Sequence, residues 1–154
     1  MAVVTAQRRF AIYLLPLLGW MLLIFLLSTD SASAAHTSPV VHSFLAAIPF
    51  LRDHLTPAQI GEADHIVRKS AHITEYAILA TLMFRALRQD RPNFRDIYVW
   101  GTILFCFLYA CTDEYHQIFV PSRGPSFGDV MFDTCGGMIG TLINLWRFVR
   151  RRKP

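Results

Sequence analysis

Apolar residues gather into four runs separated by polar connections. The first, Phe10 to Ser28 (FAIYLLPLLGWMLLIFLLS), carries no charge over the length of about 20 residues that a helix needs to cross hydrocarbon. The others are Ile73 to Leu87, Ile97 to Cys111 and Val130 to Phe148. This pattern predicts an all-α, polytopic integral membrane protein with four transmembrane helices, forming one membrane domain over residues 1–154. The second and third runs are too short to cross on apolar residues alone, so flanking polar residues must occupy the missing depth or the local bilayer must thin. The first run has a second reading as a secretory signal, because Arg8 and Arg9 precede it and SASAA follows. It is longer than the roughly 7 to 15 apolar residues of a signal core, and further runs follow it.

Residues 29–63 form the long connection between the first two spans. Ser38-Pro39 is an N-cap and first-turn pair, and Val41, Phe44, Leu45 and Ile48 repeat at helical spacing, which predicts a short amphipathic helix on the outer membrane surface. Thr56-Pro57-Ala58-Gln59 reads as a capping box with proline at the first helical position, opening a helix that runs on into the second span.

Composition agrees with the membrane reading: 53 % of residues are hydrophobic and 17 % charged, with a mean hydropathy of +0.35. A disordered chain is excluded, and a soluble enzyme is disfavoured. Cys106, Cys111 and Cys135 all lie in apolar runs, read as small buried hydrophobes, and offer neither a disulfide framework nor a metal ribbon. The net charge of +4 would point to an acidic partner such as nucleic acid if it were clustered, but its distribution follows topology instead. Arg8 and Arg9, Arg85, Arg88, Arg91 and Arg95, and Arg147 with the four basic residues after it place eleven of fifteen cations on one side. Both termini and the middle loop are therefore expected in the cytoplasm. All six histidines and nine of the eleven acids fall on the other side, so any chemistry is expected on the extracytoplasmic face.

Three polar constellations stand at the outer ends of the spans. His65, Lys69, His72 and Tyr76 share one stripe of the second helix, with Glu75 one turn beyond His72; the bland alternative is a solvated helix end with Lys69 snorkelling. Asp113 and Gln117 share a face of the third helix, and Glu114 adjoins Asp113; two carboxylates near low dielectric call for a proton, a metal or Arg123 close by, unless they form an ordinary solvated pair. The connection PSRGPSFGD, rich in proline and glycine, is expected to be stiff and to hold Arg123 near these acids, for ion pairing or for recognition of phosphate. On the fourth helix Asp129, Asp133, Gly136 and Gly140 follow at four, three and four. The two glycines form a small-residue pattern that seats this helix against another and draws both acids into the bundle. The cluster of Glu75, Asp113, Glu114, Asp129 and Asp133 outweighs Lys69 and Arg123, so protonated histidine, shared protons, a divalent metal or a cationic ligand group must supply counter-charge. There is no HExxH and no standard zinc spacing, and the sequence identifies no cofactor.

The stretches KSAHITEYAIL (Lys69 to Leu79) and DEYHQIFVPSRGPSFGDVMFDTCGGMIG (Asp113 to Gly140) resemble the VanZ-like family of bacterial membrane proteins, with the likeness covering about residues 64–145. By position the resemblance implies that Lys69, His72, Glu75, Tyr76, Asp113, Glu114, Gln117, Phe119, Pro121, Arg123, Asp129 and Gly137 belong to the family pattern. Asp133 departs from it, since many members carry Asn there. The resemblance also implies a protein of the inner membrane and cell envelope, in a family whose founding member is associated with resistance to the glycopeptide teicoplanin. It implies no established reaction. Two main readings result: an envelope accessory that binds a ligand at the outer leaflet, or a membrane enzyme acting on a lipid-linked phosphate or cell-wall precursor. Transport is a third reading, for which four spans are few unless the chain oligomerises.

Overall fold

The computed structural model describes residues 6–29, 56–89, 95–120 and 124–151. The predicted surface helix around residues 41–48 and Arg123 lie outside them. Among the described residues the fold is all-helical, built from four rods. The first joins α1 (Ala6–Arg9), a π-helical stretch (Phe10–Leu14) and α2 (Leu15–Leu27). Then come α3 (Pro57–Arg88), α4 (Ile97–Gln117) and α5 (Phe127–Arg150). The π stretch immediately precedes Pro16, which has no N–H to continue the ladder; the Leu15 N–H instead reaches back to the Phe10 carbonyl. The capping box is formed as the sequence predicts. The Gln59 N–H donates to Thr56 Oγ1, the Thr56 N–H donates to Gln59 Oε1 at 2.8 Å, and the helix continues without a break into the second apolar run.

The rods alternate in direction. The Trp20 indole N–H donates to the Glu75 carbonyl at 2.9 Å, tying the first rod to α3. The Tyr109 hydroxyl donates to the Met21 carbonyl at 2.6 Å, and Gln117 donates to Ser28 Oγ at 3.1 Å, so the first rod and α4 run side by side in the same direction. α3 and α5 also run in one direction and make the most extensive contact in the bundle. Gly136 lies on Ile73, Gly140 on Ala77, and Asn144 donates to Thr81 Oγ1 at 2.9 Å, a constant register along three turns. A Cβ at Gly136 or Gly140 would run into the carbonyl oxygen of Ile73 or Ala77, so the close approach requires glycine. Gly137, on the adjoining face, sits against Cys106 of α4. The small-residue stripe read from the sequence is thus the seam between α5 and α3.

By length and hydropathy one rod, Gln7–Leu27, is apolar enough among the described residues to cross a bilayer on its own. The other three include charged or strongly polar residues within their helical length, among them Glu75, Asp113, Glu114 and Asp133. One expectation needs correction: Cys106 is buried, but Cys135 is exposed. It lies one position before the Gly136 seam, on a face of α5 turned away from both neighbouring helices, so an apolar sequence setting did not mean burial.

Gly136→Ala and Gly140→Ala should each lower stability by about 1–3 kcal/mol, the usual cost of overpacking, whereas Gly19→Ala, whose added Cβ meets nothing within 4 Å, should not. Thermal unfolding of the detergent-solubilised chain, followed by circular dichroism, measures this. Equal effects at all three positions would contradict the seam.

Candidate functional site

Where the N-terminal parts of α3 and α5 meet the C-terminal end of α4 lies a cavity of about 220 Å³. Its wall on α3 is His65, Arg68, Lys69 and His72, spaced at i, i+3, i+4 and i+7. Gln117 closes it from α4, and Asp129, Phe132 and Asp133 from α5. The glycine seam below is what brings these helix ends close enough to share one cavity.

At its floor His72 Nδ1 stands 3.2 Å from Asp133 Oδ1. Asp133 is completely buried, while the His72 side chain keeps partial access. A lone carboxylate at this depth would be very costly, so its nearest cation partner is central to how the site is charged. Tyr76, one turn further in, is fully buried between α3 and α4, its ring 6.3 Å from that of Tyr109.

The rim is cationic. Lys69 Nζ lies 3.9 Å from the centre of the Phe132 ring, a cation–π contact that fixes the ammonium over the cavity. Arg68 Nε lies 3.8 Å from Asp64 Oδ2 on the preceding turn. Asp129, half-buried in the first turn of α5, is well placed for the helix dipole.

The carboxylates expected to form one anionic cluster are divided instead. Asp113 is buried and accepts from Gln117 Nε2 at 3.3 Å, and the same amide group donates to Ser28, so this pair ties the first rod to α4. Glu114 accepts the Ser126 N–H at 2.7 Å and thereby fixes the turn that starts α5. Glu75 is half-buried and offers its backbone carbonyl to Trp20. None of these three acids lines the cavity. His116 packs on the Phe25 ring, with ring centres 4.4 Å apart. Of the nine residues singled out in the sequence, Lys69, His72, Gln117, Asp129 and Asp133 meet at the cavity; Glu75, Asp113 and Glu114 flank it; Arg123 is outside the described residues. Arg68 and Phe132 were missed. Arg68 is the i+3 member of the stripe begun by His65, and a reading at four-three-four spacing passes over it. Among the described residues, no group of three His, Cys, Asp or Glu side chains is placed to hold a metal ion.

A family model described as VanZ/LLP1 matches residues 10–148, which takes in most of the first rod and the connection after it as well as the motif-bearing stretches. Comparison with curated proteins and with solved structures gives no match.

His72→Leu removes the partner of the fully buried Asp133 carboxylate and should lower the melting temperature of the purified chain. An unchanged melting temperature in the variant would contradict the pairing.

Proposed function

The chain belongs to the VanZ/LLP1 family, and from that premise we propose that it is a multi-pass membrane protein whose outer cavity binds the anionic group of a lipid-linked envelope precursor. The observation that carries this reading is the pairing of a cationic rim, Arg68 and Lys69, with partly accessible His72 on the buried Asp133 beneath it in one cavity. A planar guanidinium beside a compact ammonium is a donor set suited to phosphate. The ion pair below supplies a polar floor without adding net negative charge while His72 is protonated. Holding a precursor in this way is also the kind of step on which the envelope and resistance roles implied by the family resemblance would turn.

The multi-pass topology is supported by where the bundle puts its polar and its large apolar side chains. Asp113, Glu114, Gln117, Asp133, Thr102 and Thr141 are inside, while Leu104, Leu108, Met138, Ile139, Leu142 and Ile143 face outward. Such a belt is a lipid-facing surface. Exposed Trp100 and Trp146 stand near one end of it and exposed Tyr115, Phe119 and Phe127 near the other, as interfacial aromatic belts do. The cationic ends of the first rod, α3 and α5 lie together, in the arrangement that puts both termini in the cytoplasm.

One observation favours a second, enzymatic reading. A histidine that faces a buried carboxylate through Nδ1 and also lines a cavity has the orientation of a general acid or base. On this reading His72 moves the proton, Asp133 holds the ring, and Lys69 with Arg68 neutralises the phosphate.

Two experiments test these proposals. For topology, cysteine substituted at Ser122 should react with an impermeant maleimide added to intact cells and cysteine at Asn93 should not; the opposite pattern overturns the orientation. For the site, the purified chain should bind a short-chain polyprenyl phosphate in detergent, and Arg68→Gln with Lys69→Met should weaken binding by about tenfold or more. Failure of the wild type to bind contradicts the proposal. Release of inorganic phosphate that His72→Gln abolishes while binding persists would move the assignment from binder to enzyme.

A further inference from the structure

A second cavity, of about 460 Å³, lies at the other end of the bundle. Arg85, Arg88, Arg147 and Arg151 line it together with Gln89 and Asn144. Arg85 is 16 residues beyond Lys69 on the same helix, about 24 Å along its axis, so the two cavities are separate. Four guanidinium groups share this space, and none of the described lining residues is acidic.

Helix C-termini attract cations, and both α3 and α5 end here, which accounts for part of this concentration of charge. It does not account for the cavity. The arginines come from two helices and converge on a common concave space, whereas side chains that only complement helix dipoles can spread into water and relieve their mutual repulsion. Two contacts hold the wall in place. The Arg88 guanidinium lies 4.9 Å from the centre of the Phe148 ring, and Phe148 itself is buried. Asn144 is fixed by donating to Thr81 and, at 2.7 Å, to the Gly140 carbonyl. Tyr13 from the first rod and Phe84 from α3 complete an amphipathic lining. The Arg9 guanidinium donates to Gln89 Oε1 at 3.5 Å and adds a further cation at the edge.

We propose that this cavity is a binding site for the phosphate headgroup of an acidic phospholipid of the inner leaflet. Guanidinium groups grip phosphate oxygens in bidentate fashion, and the exposed apolar surfaces of the surrounding helices give acyl chains a continuous path from the headgroup into the hydrocarbon. The aromatic floor suits the glycerol region, and the volume admits a headgroup with its bridging phosphate. A soluble phosphate compound presents the same charged group but has no use for the apolar flank. The assignment rests on the bundle spanning the bilayer, which cysteine labelling tests by itself.

The experiment uses the full chain, delipidated in detergent and titrated by native mass spectrometry with phosphatidylglycerol, phosphatidylcholine or inorganic phosphate. Phosphatidylglycerol should remain bound preferentially over phosphatidylcholine. Arg85→Gln with Arg151→Gln should reduce that preference by about tenfold or more, while binding of polyprenyl phosphate at the outer cavity persists. The paired lysine variants at the same positions keep the charge if the glutamine variant does not fold, and a weakened preference there also supports the site. An unchanged preference in the folded glutamine variant overturns the proposal, as does one in the lysine variant where the glutamine variant does not fold. So does a wild-type chain that binds inorganic phosphate at the arginines but does not distinguish the two lipids.

Discussion

The contact on which the rest of the molecule depends is the close approach of α5 to α3 at Gly136 and Gly140. Without side chains at those positions, the α5 backbone reaches the carbonyls of Ile73 and Ala77. One turn before Gly136, the same register sets Asp133 against His72; one turn after Gly140, it sets Asn144 against Thr81. A helix pair so close and so regular has few ways to slide. The polar residues at its two ends therefore become two cavities held at fixed positions, instead of independent solvated helix tips.

The distribution of buried charge follows from this arrangement. In apolar surroundings a carboxylate must be paired or hydrogen-bonded, and each buried acid meets that demand differently. Glu114 anchors a turn through the Ser126 N–H, Asp113 joins α4 to the first rod through Gln117, and Asp133 faces His72. Only the third solution also opens onto a cavity. What looks in the sequence like a pool of five acids in need of one shared counter-charge is thus two internal ties, a peripheral residue, and a single pair at the cavity with Asp129 beside it.

Much of this was legible in the residue pattern. The helical rods, the capping box at Thr56, the glycine stripe and the stripe of His65, Lys69 and His72 follow from spacing alone, because helical periodicity fixes which side chains share a face. The glycine pattern could indicate close packing but not its partner; the partner is α3 because Ala77 and Thr81 supply the matching small surface. Which acids would turn toward the cavity was not legible, since that depends on the rotation of α4 against the first rod, set by the Gln117–Ser28 and Tyr109–Met21 hydrogen bonds across some ninety residues of sequence. The arginine-lined cavity was visible in the sequence only as a concentration of basic residues. Its concavity arises from where α3 and α5 end relative to one another.

The central claim is that the seam between α3 and α5 creates an outer site in which a phosphate group meets the Lys69 ammonium above the His72–Asp133 pair. The most direct measurement is the dipolar coupling between ³¹P of a bound polyprenyl phosphate and ¹⁵Nζ of Lys69, recorded by solid-state magnetic resonance on the chain in bilayers. A coupling corresponding to a separation of about 3–4 Å, the reach of a direct ion pair, is the predicted result. Bound ligand with no measurable coupling to Lys69 would contradict the claim.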